Sequence, residues 1–198
     1  MPSPTPDPAR RSDRARSSIL SATRERLAEV GYAKLTIEGI ASRAGVGKQT
    51  IYRWWPSKGA VVFDAILDAS LGPDGSTTLP DTGELEADLR TVMRGIVGEL
   101  ADPATDRMQR AVLAELQLDP PLATELLERL LRPQTDAFAD RLCRARDAGQ
   151  VRDDLDPSVA VELFLGPVFH RWLLRTAPLD EAFADRVVEH ALAGLAPR

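Results

Sequence analysis

The stretch Gly45-Val46-Gly47-Lys48-Gln49-Thr50-Ile51-Tyr52-Arg53-Trp54-Trp55-Pro56-Ser57-Lys58 decides the reading of this chain. It sets one Tyr and two Trp within four positions, in a protein that holds only 5 Phe, 2 Tyr and 3 Trp in 198 residues. Lys48, Arg53 and Lys58 place positive charge among those rings. Just upstream, Thr36 is a candidate N-cap for a short helix with Glu38 in its first turn and Ile37, Ile40, Ala41 and Ala44 on its apolar face. The Gly-Val-Gly at 45–47 breaks that helix. A third short helix runs from Lys48 to about Trp54 and stops before Pro56, because the residue preceding a proline avoids helical geometry.

Two short helices joined by a glycine turn read as a helix-turn-helix over about 36–55. Ala41 is small where the helices approach, Gly45 can take positive φ, and Val46 and Ile51 enter the small core beneath. The outer face is left to Lys48, Gln49, Thr50, Tyr52, Arg53 and Trp54. Gln and Arg make bidentate bonds to adenine and guanine edges; Lys, Thr and Tyr bond phosphate oxygens and fix the register. Trp55, at the turn before Pro56, is assigned to packing, while Trp54 stands between packing and a phosphate contact. Ser57 can cap a fourth helix reaching about Leu71, and Lys58 at its start is placed to meet a phosphate with help from the helix N-terminus. The candidate DNA contacts are therefore Thr36, Lys48, Gln49, Thr50, Tyr52, Arg53, Trp54 and Lys58. The competing reading is a small helical hairpin with surface cations.

The charge divides along the chain in the same sense. Residues 1–58 carry eleven Lys/Arg against five Asp/Glu, and the remainder carries a net negative charge that brings the whole to −5. A basic N-terminal third on an acidic body suits an anionic partner for that third, although charge by itself does not separate nucleic acid, a membrane surface and chance clustering. Residues 1–11, rich in Pro, Ser and Arg, read as a disordered basic arm. The first helix runs from about Ser12 to Val30 with Ile19, Leu20, Thr23, Leu27 and Val30 on one face, and Gly31 is its expected end. The absence of a long apolar run or a signal-like N-terminus leads to the expectation of a cytoplasmic protein with no membrane partner.

The Gly- and Pro-containing loop 72–83 is the best domain boundary. Beyond it, residues 84–198 show only helical periodicity. The expected helices are one through Leu85–Leu100, one around Met108–Leu116, one from about Pro121 to Ala148 bent at Pro133, one opened by Asp156-Pro157, and a last from Asp180 to Leu195. The fold class is all-α with about nine helices. Residues 159–174 are apolar nearly all round, so that helix must cover more than one surface. Paired with the last helix it suits a four-helix interface between two copies, through Leu165, Val168, Trp172, Phe183, Val187, Val188, Ala191 and Leu192. The alternative is that the helix is the central core of a monomer. Met93, Met108, Phe138, Phe164 and Phe169 are the candidate lining of an effector pocket, or else plain core. Single Cys143 permits neither an internal disulfide nor a cysteine zinc site. Glu162 and His170 are wrongly spaced for a metal, and there is no glycine-rich phosphate loop. The sequence implies no enzyme, no cofactor and no metal.

Residues 12–71 resemble the DNA-binding domain of the TetR family of bacterial transcriptional regulators. The likeness rests on Gly31, Tyr32, Thr36, Ile40, Ala41, Ala44, Gly45, Val46, Thr50, Tyr52, Trp55, Ser57 and Lys58. Gly47 stands where that family usually has Ser, and Trp55 where Phe is common. The stretch 166–174, Gly-Pro-Val-Phe-His-Arg-Trp-Leu-Leu, is similar to the dimerisation region of some members. The resemblance implies a homodimeric repressor whose C-terminal domain dimerises and holds a small-molecule effector, with effector binding changing the spacing of two recognition helices on a palindromic operator. A regulator of the same fold without an effector, answering to a protein partner, is the alternative.

Overall fold

The computed structural model of the chain describes residues 8–70 and 79–197; the first seven positions of the expected basic arm and most of the loop 72–83 lie outside them. Every regular element among the described residues is helical. In order these are α1 (Pro8–Lys34), α2 (Ile37–Ala44), α3 (Lys48–Tyr52), α4 (Lys58–Ser70), α5 (Leu85–Ala101), α6 (Pro103–Leu116), α7 (Pro120–Leu126), a π-helical turn (Leu127–Leu131), α8 (Arg132–Asp147), α9 (Pro157–Leu174) and α10 (Glu181–Gly194). No described helix is long and apolar enough to cross a membrane.

Three local features depart from the sequence reading. Helix α1 starts at Pro8, inside the segment expected to be a disordered arm; proline suits a first helical position, where its missing N–H has no intrahelical acceptor. Gly31, at φ 73° and ψ 165°, interrupts α1 rather than ending it. The bend expected at Pro133 takes the form of the π-helical turn just ahead of it, and α7, the turn and α8 follow one another without a gap. Pro133 offers no N–H to the carbonyl of Arg129, and its ring crowds that position, so a wider turn relieves both faults.

The chain divides into two compact units, Met1–Leu71 with Arg107–Leu126, and Gly72–Asp106 with Leu127–Arg198. Residues 107–126 thus group with the first unit, not with the body expected at 84–198. A glycine-rich loop marks where the chain can turn, but it does not determine which neighbours a later helix finds.

In the first unit α1 packs on α2 and α4. The face Ile19, Leu20, Thr23 and Leu27 is buried, as its spacing requires, and the Thr23 hydroxyl donates to the Ile19 carbonyl at 2.8 Å. In the second unit α10 packs on α5 and α9, and α8 on α9. Its core holds Leu89, Met93, Phe138, Leu142, Phe164, Val168 and Val188. A buried ion pair crosses that core. Arg141 donates through Nη2 to Asp88 Oδ2 at 2.8 Å, and Thr82 supplies Asp88 with its hydroxyl (2.8 Å) and its backbone N–H (3.1 Å). Arg141 and Asp88 are only 1% and 3% exposed. Burial pushes the Asp88 carboxyl up, but the hydrogen bonds from Arg141 and Thr82 outweigh it and hold the group below the ordinary aspartate range.

Candidate nucleic-acid interface

The geometry of the helix-turn-helix follows from a few residues. Thr36 takes an extended backbone and its hydroxyl oxygen accepts from the Gly39 N–H at 3.1 Å, starting α2. Gly45, at φ 67° and ψ 33°, ends it in the left-handed conformation, and the Val46 N–H returns to the Ala41 carbonyl at 3.0 Å. This glycine closure satisfies carbonyls that the helix end would leave orphaned. Gly47 precedes α3 and supplies no side-chain cap; a Cβ there would meet nothing within 4 Å, so a serine would fit. Of the five residues of α3 only Ile51 is buried. Lys48, Gln49, Tyr52 and the following Arg53 are exposed, and Thr50 is half-buried. One apolar pin thus holds a helix otherwise made of polar reach.

The cations are not equally free. Arg43 is held by Glu25 and Glu29 at 2.8 Å each. The hydrogen bonds with Arg43 and then Arg26 lower the Glu29 carboxyl, and those with Glu29 and then Glu25 raise the Arg43 guanidinium. Lys48 Nζ lies 3.5 Å from Glu38, with both groups mostly in solvent, where such a pair is weak and salt-sensitive. Arg53 has no carboxylate partner among the described residues; its guanidinium lies 5.0 Å from the centre of the Trp54 ring. Trp55 is buried as expected, and its Nε1–H donates to Asp64 Oδ2 at 2.9 Å.

Lys58 differs from the expectation. Ser57 does cap α4, its hydroxyl accepting from the Ala60 N–H at 3.1 Å. The Lys58 ammonium, however, donates to the Tyr32 carbonyl at 2.9 Å and sits 4.0 Å above the Tyr32 ring. It ties α4 to the end of α1, and a phosphate would have to draw it away from both partners.

The second unit revises the other two candidate sets. Of the proposed pocket lining, Met93, Phe138 and Phe164 are buried, with the two Phe rings 5.4 Å apart. Phe169 is 42% exposed and stands edge-on to Trp172 at 6.0 Å. Five residues beyond Phe164, it lies about 140° round α9 from it and faces outward. Met108 falls in the first unit. Of the proposed interface, Val168, Trp172 and Val188 turn into the subunit's own core, with Trp172 Nε1–H donating to Asp106 at 2.7 Å. Leu165 and Leu192 are half-buried. Phe183, Val187 and Ala191 are nearly covered but floor an open groove of ≈ 490 Å³ between α9 and α10.

The outward face of α9 carries residues the sequence reading did not select. Val159, Leu163 and Leu173 are exposed, and with Gly166 and His170 they recur at alternating four- and three-residue spacing, the pattern of a helix seam. Because residues 159–174 are apolar all round, periodicity could not say which stripe faces out. The charge tie Arg94–Asp185 at 2.7 Å, which joins α5 to α10, is visible only once the helices are assembled. Among the described residues no cluster of His, Cys, Asp and Glu could hold a metal ion.

Comparison with known proteins agrees with this geometry. Residues 19–65 match the family described as bacterial regulatory proteins, tetR family, and residues 79–191 match the tetracyclin repressor-like C-terminal domain. The uncharacterized HTH-type transcriptional regulator YdeS of Bacillus subtilis (strain 168) is 32% identical over 93% of this chain and 91% of its own length. The DNA-binding transcriptional repressor TetR of Mycobacteroides abscessus is 28% identical over 92% and 94%. Among solved structures, the TetR family transcription regulator SCO0332 superposes with a TM-score of 0.72 and 35% identity, over 92% of this chain and 99% of that one.

Proposed function

The chain belongs to the TetR family of DNA-binding transcriptional regulators, and from that premise we propose that it is a homodimeric repressor whose two copies of α3 read a palindromic operator. The observation that carries this reading is α3 itself, pinned by Ile51 and presenting Lys48, Gln49, Tyr52 and Arg53 to solvent. Gln49 and Arg53 read base edges, and Thr36, Lys48, Thr50 and Tyr52 fix the register on phosphates. Two recognition helices engage successive major grooves only if held about 34–36 Å apart, which calls for a dimer. The exposed α9 stripe and the groove beside it supply an apolar surface for one.

Selection from a random DNA library tests the reading, with an inverted repeat as the expected result. Gln49→Ala and Arg53→Ala each relax the preference at one base pair per half-site, by about 1–3 kcal/mol. Lys48→Ala weakens all sequences alike and lowers the salt slope by about one unit. A selected site without two-fold symmetry, or variants indistinguishable from wild type, would remove the proposal.

Regulation by an apolar or amphipathic effector is the finer part. The place for it in the second unit is the core that holds Met93, Phe138 and Phe164, where a flexible thioether can repack around a guest. The effector must favour the DNA-free state, or it shifts nothing. The close contact of the two rings supports the second reading, a regulator without an effector. A thermal-shift screen of apolar compounds, followed by operator release with each hit, separates the two. Hits that stabilise the protein and never alter DNA affinity favour the second.

A further inference from the structure

We propose that Trp54 is a positioning residue for base recognition, holding the Arg53 guanidinium in its reading pose while Asp64, through Trp55, holds Trp54. This rests on the assignment of Arg53 to base reading. Arg53 directly follows α3, and among the described residues the one partner of its side chain is the Trp54 ring, 5.0 Å from the guanidinium carbon. Trp54 in turn stands edge-on to Trp55, with centroids 5.5 Å apart and planes at 87°. Trp55 is 3% exposed and is locked by its hydrogen bond to Asp64 on α4. The same Asp64 oxygen also takes Arg16 of α1 at 3.4 Å. A continuous set of contacts therefore runs from the two long helices of the unit to a side chain in solvent.

The set matters because arginine has more rotamer freedom than almost any residue, and freedom frozen on binding weakens the complex. A guanidinium held over an indole gives up part of that freedom before DNA arrives. A guanidinium that lies flat on the ring would also keep its N–H edge available for the O6 and N7 of a guanine. The aromatic pair in the quoted stretch then has divided duties: Trp55 anchors and Trp54 presents. The two other roles open to Trp54, a phosphate contact through its own N–H and simple packing, predict different outcomes.

The experiment compares the full-length wild type with Arg53→Ala, Trp54→Ala, Trp54→Phe and the double variant Trp54→Ala/Arg53→Ala in competition titrations on the selected operator and its single-base variants. Arg53→Ala first identifies the base pair that this residue reads. Trp54→Ala should then lower discrimination at that same pair about fivefold, the strength of a partly exposed cation–π contact, with non-specific affinity and salt slope unchanged. Trp54→Phe should recover most of the loss, and in the Arg53→Ala background Trp54→Ala should add nothing. Asp64→Asn, which keeps an oxygen for the Trp55 N–H, should stay close to wild type, and Asp64→Leu should relax the same base pair. An equal loss on every sequence, a reduced salt slope, or full additivity with Arg53→Ala would overturn the proposal. An Arg53→Ala variant with unchanged base preference would instead overturn the assignment on which it rests.

Discussion

Replacing Asp88 by alanine is expected to destabilise the C-terminal unit by about 3–5 kcal/mol, the cost of leaving one member of a buried ion pair unmatched. Arg141 would remain almost wholly buried, with the Pro80 carbonyl at 3.3 Å and the outer Asp81 as its remaining oxygens. Urea denaturation followed by circular dichroism measures the loss. The double variant Asp88→Leu/Arg141→Met tests the cause, because removing both charges together leaves nothing unpaired and should return most of the stability. Acid provides an independent check. The folded Asp88 carboxyl titrates below its unfolded value of about 3.9. Its contribution is therefore complete above that value and disappears as the pH falls through the folded one. Wild-type stability should show this component on acidification, and Asp88→Asn should lack it. Equal stability of the wild type and Asp88→Ala at neutral pH would show that the pair is not sustaining the unit.

The second large effect is expected at Leu163. An isologous interface uses each residue twice, so Leu163→Asp removes two contacts and inserts two carboxylates on an apolar seam. A central contact in such a seam is worth about 2 kcal/mol or more, so the dimer should weaken on the order of a thousandfold. Operator affinity should follow, because a monomer engages only one half-site. Leu163 is 45% exposed within the subunit, so the protomer should keep its helical spectrum and melting behaviour. Val188→Asp supplies the contrast, placing a charge in the subunit's own core and unfolding it outright. Sedimentation or light scattering of the two variants separates assembly from folding. A Leu163→Asp protein that remained dimeric would move the interface off α9.

The local geometry of the helix-turn-helix was legible in the sequence because its signals are local. Thr36 caps because of its own hydroxyl, Gly45 turns because it lacks a Cβ, and Ile51 is the one apolar residue of its helix, so each could be read from its neighbours. The C-terminal surfaces were not legible in that way. On a helix as apolar as α9 the period is present but its phase is not, and Val168 and Leu163 look alike until α8 and α10 cover one of them. The surroundings of Lys58 were hidden for a related reason. An exposed-looking lysine at a helix start suits a phosphate, and only the fold reveals that the carbonyl and ring of Tyr32, 26 positions earlier, lie closer to hand.

The π-helical turn at Leu127–Leu131 acts on everything that follows it. It accommodates one residue more than the α-helical path would, and one residue corresponds to 100° of rotation about the helix axis. Leu130 of the turn is buried in the same unit as the buried positions of α8, Phe138, Arg141, Leu142 and Ala145, so the turn sets the angle between Leu130 and those positions. Chain length in this stretch is thus an angular setting. A single deletion after Leu130 would not shorten the helix so much as turn it, rotating Leu130 against Phe138 and Arg141 so that they no longer share one buried side.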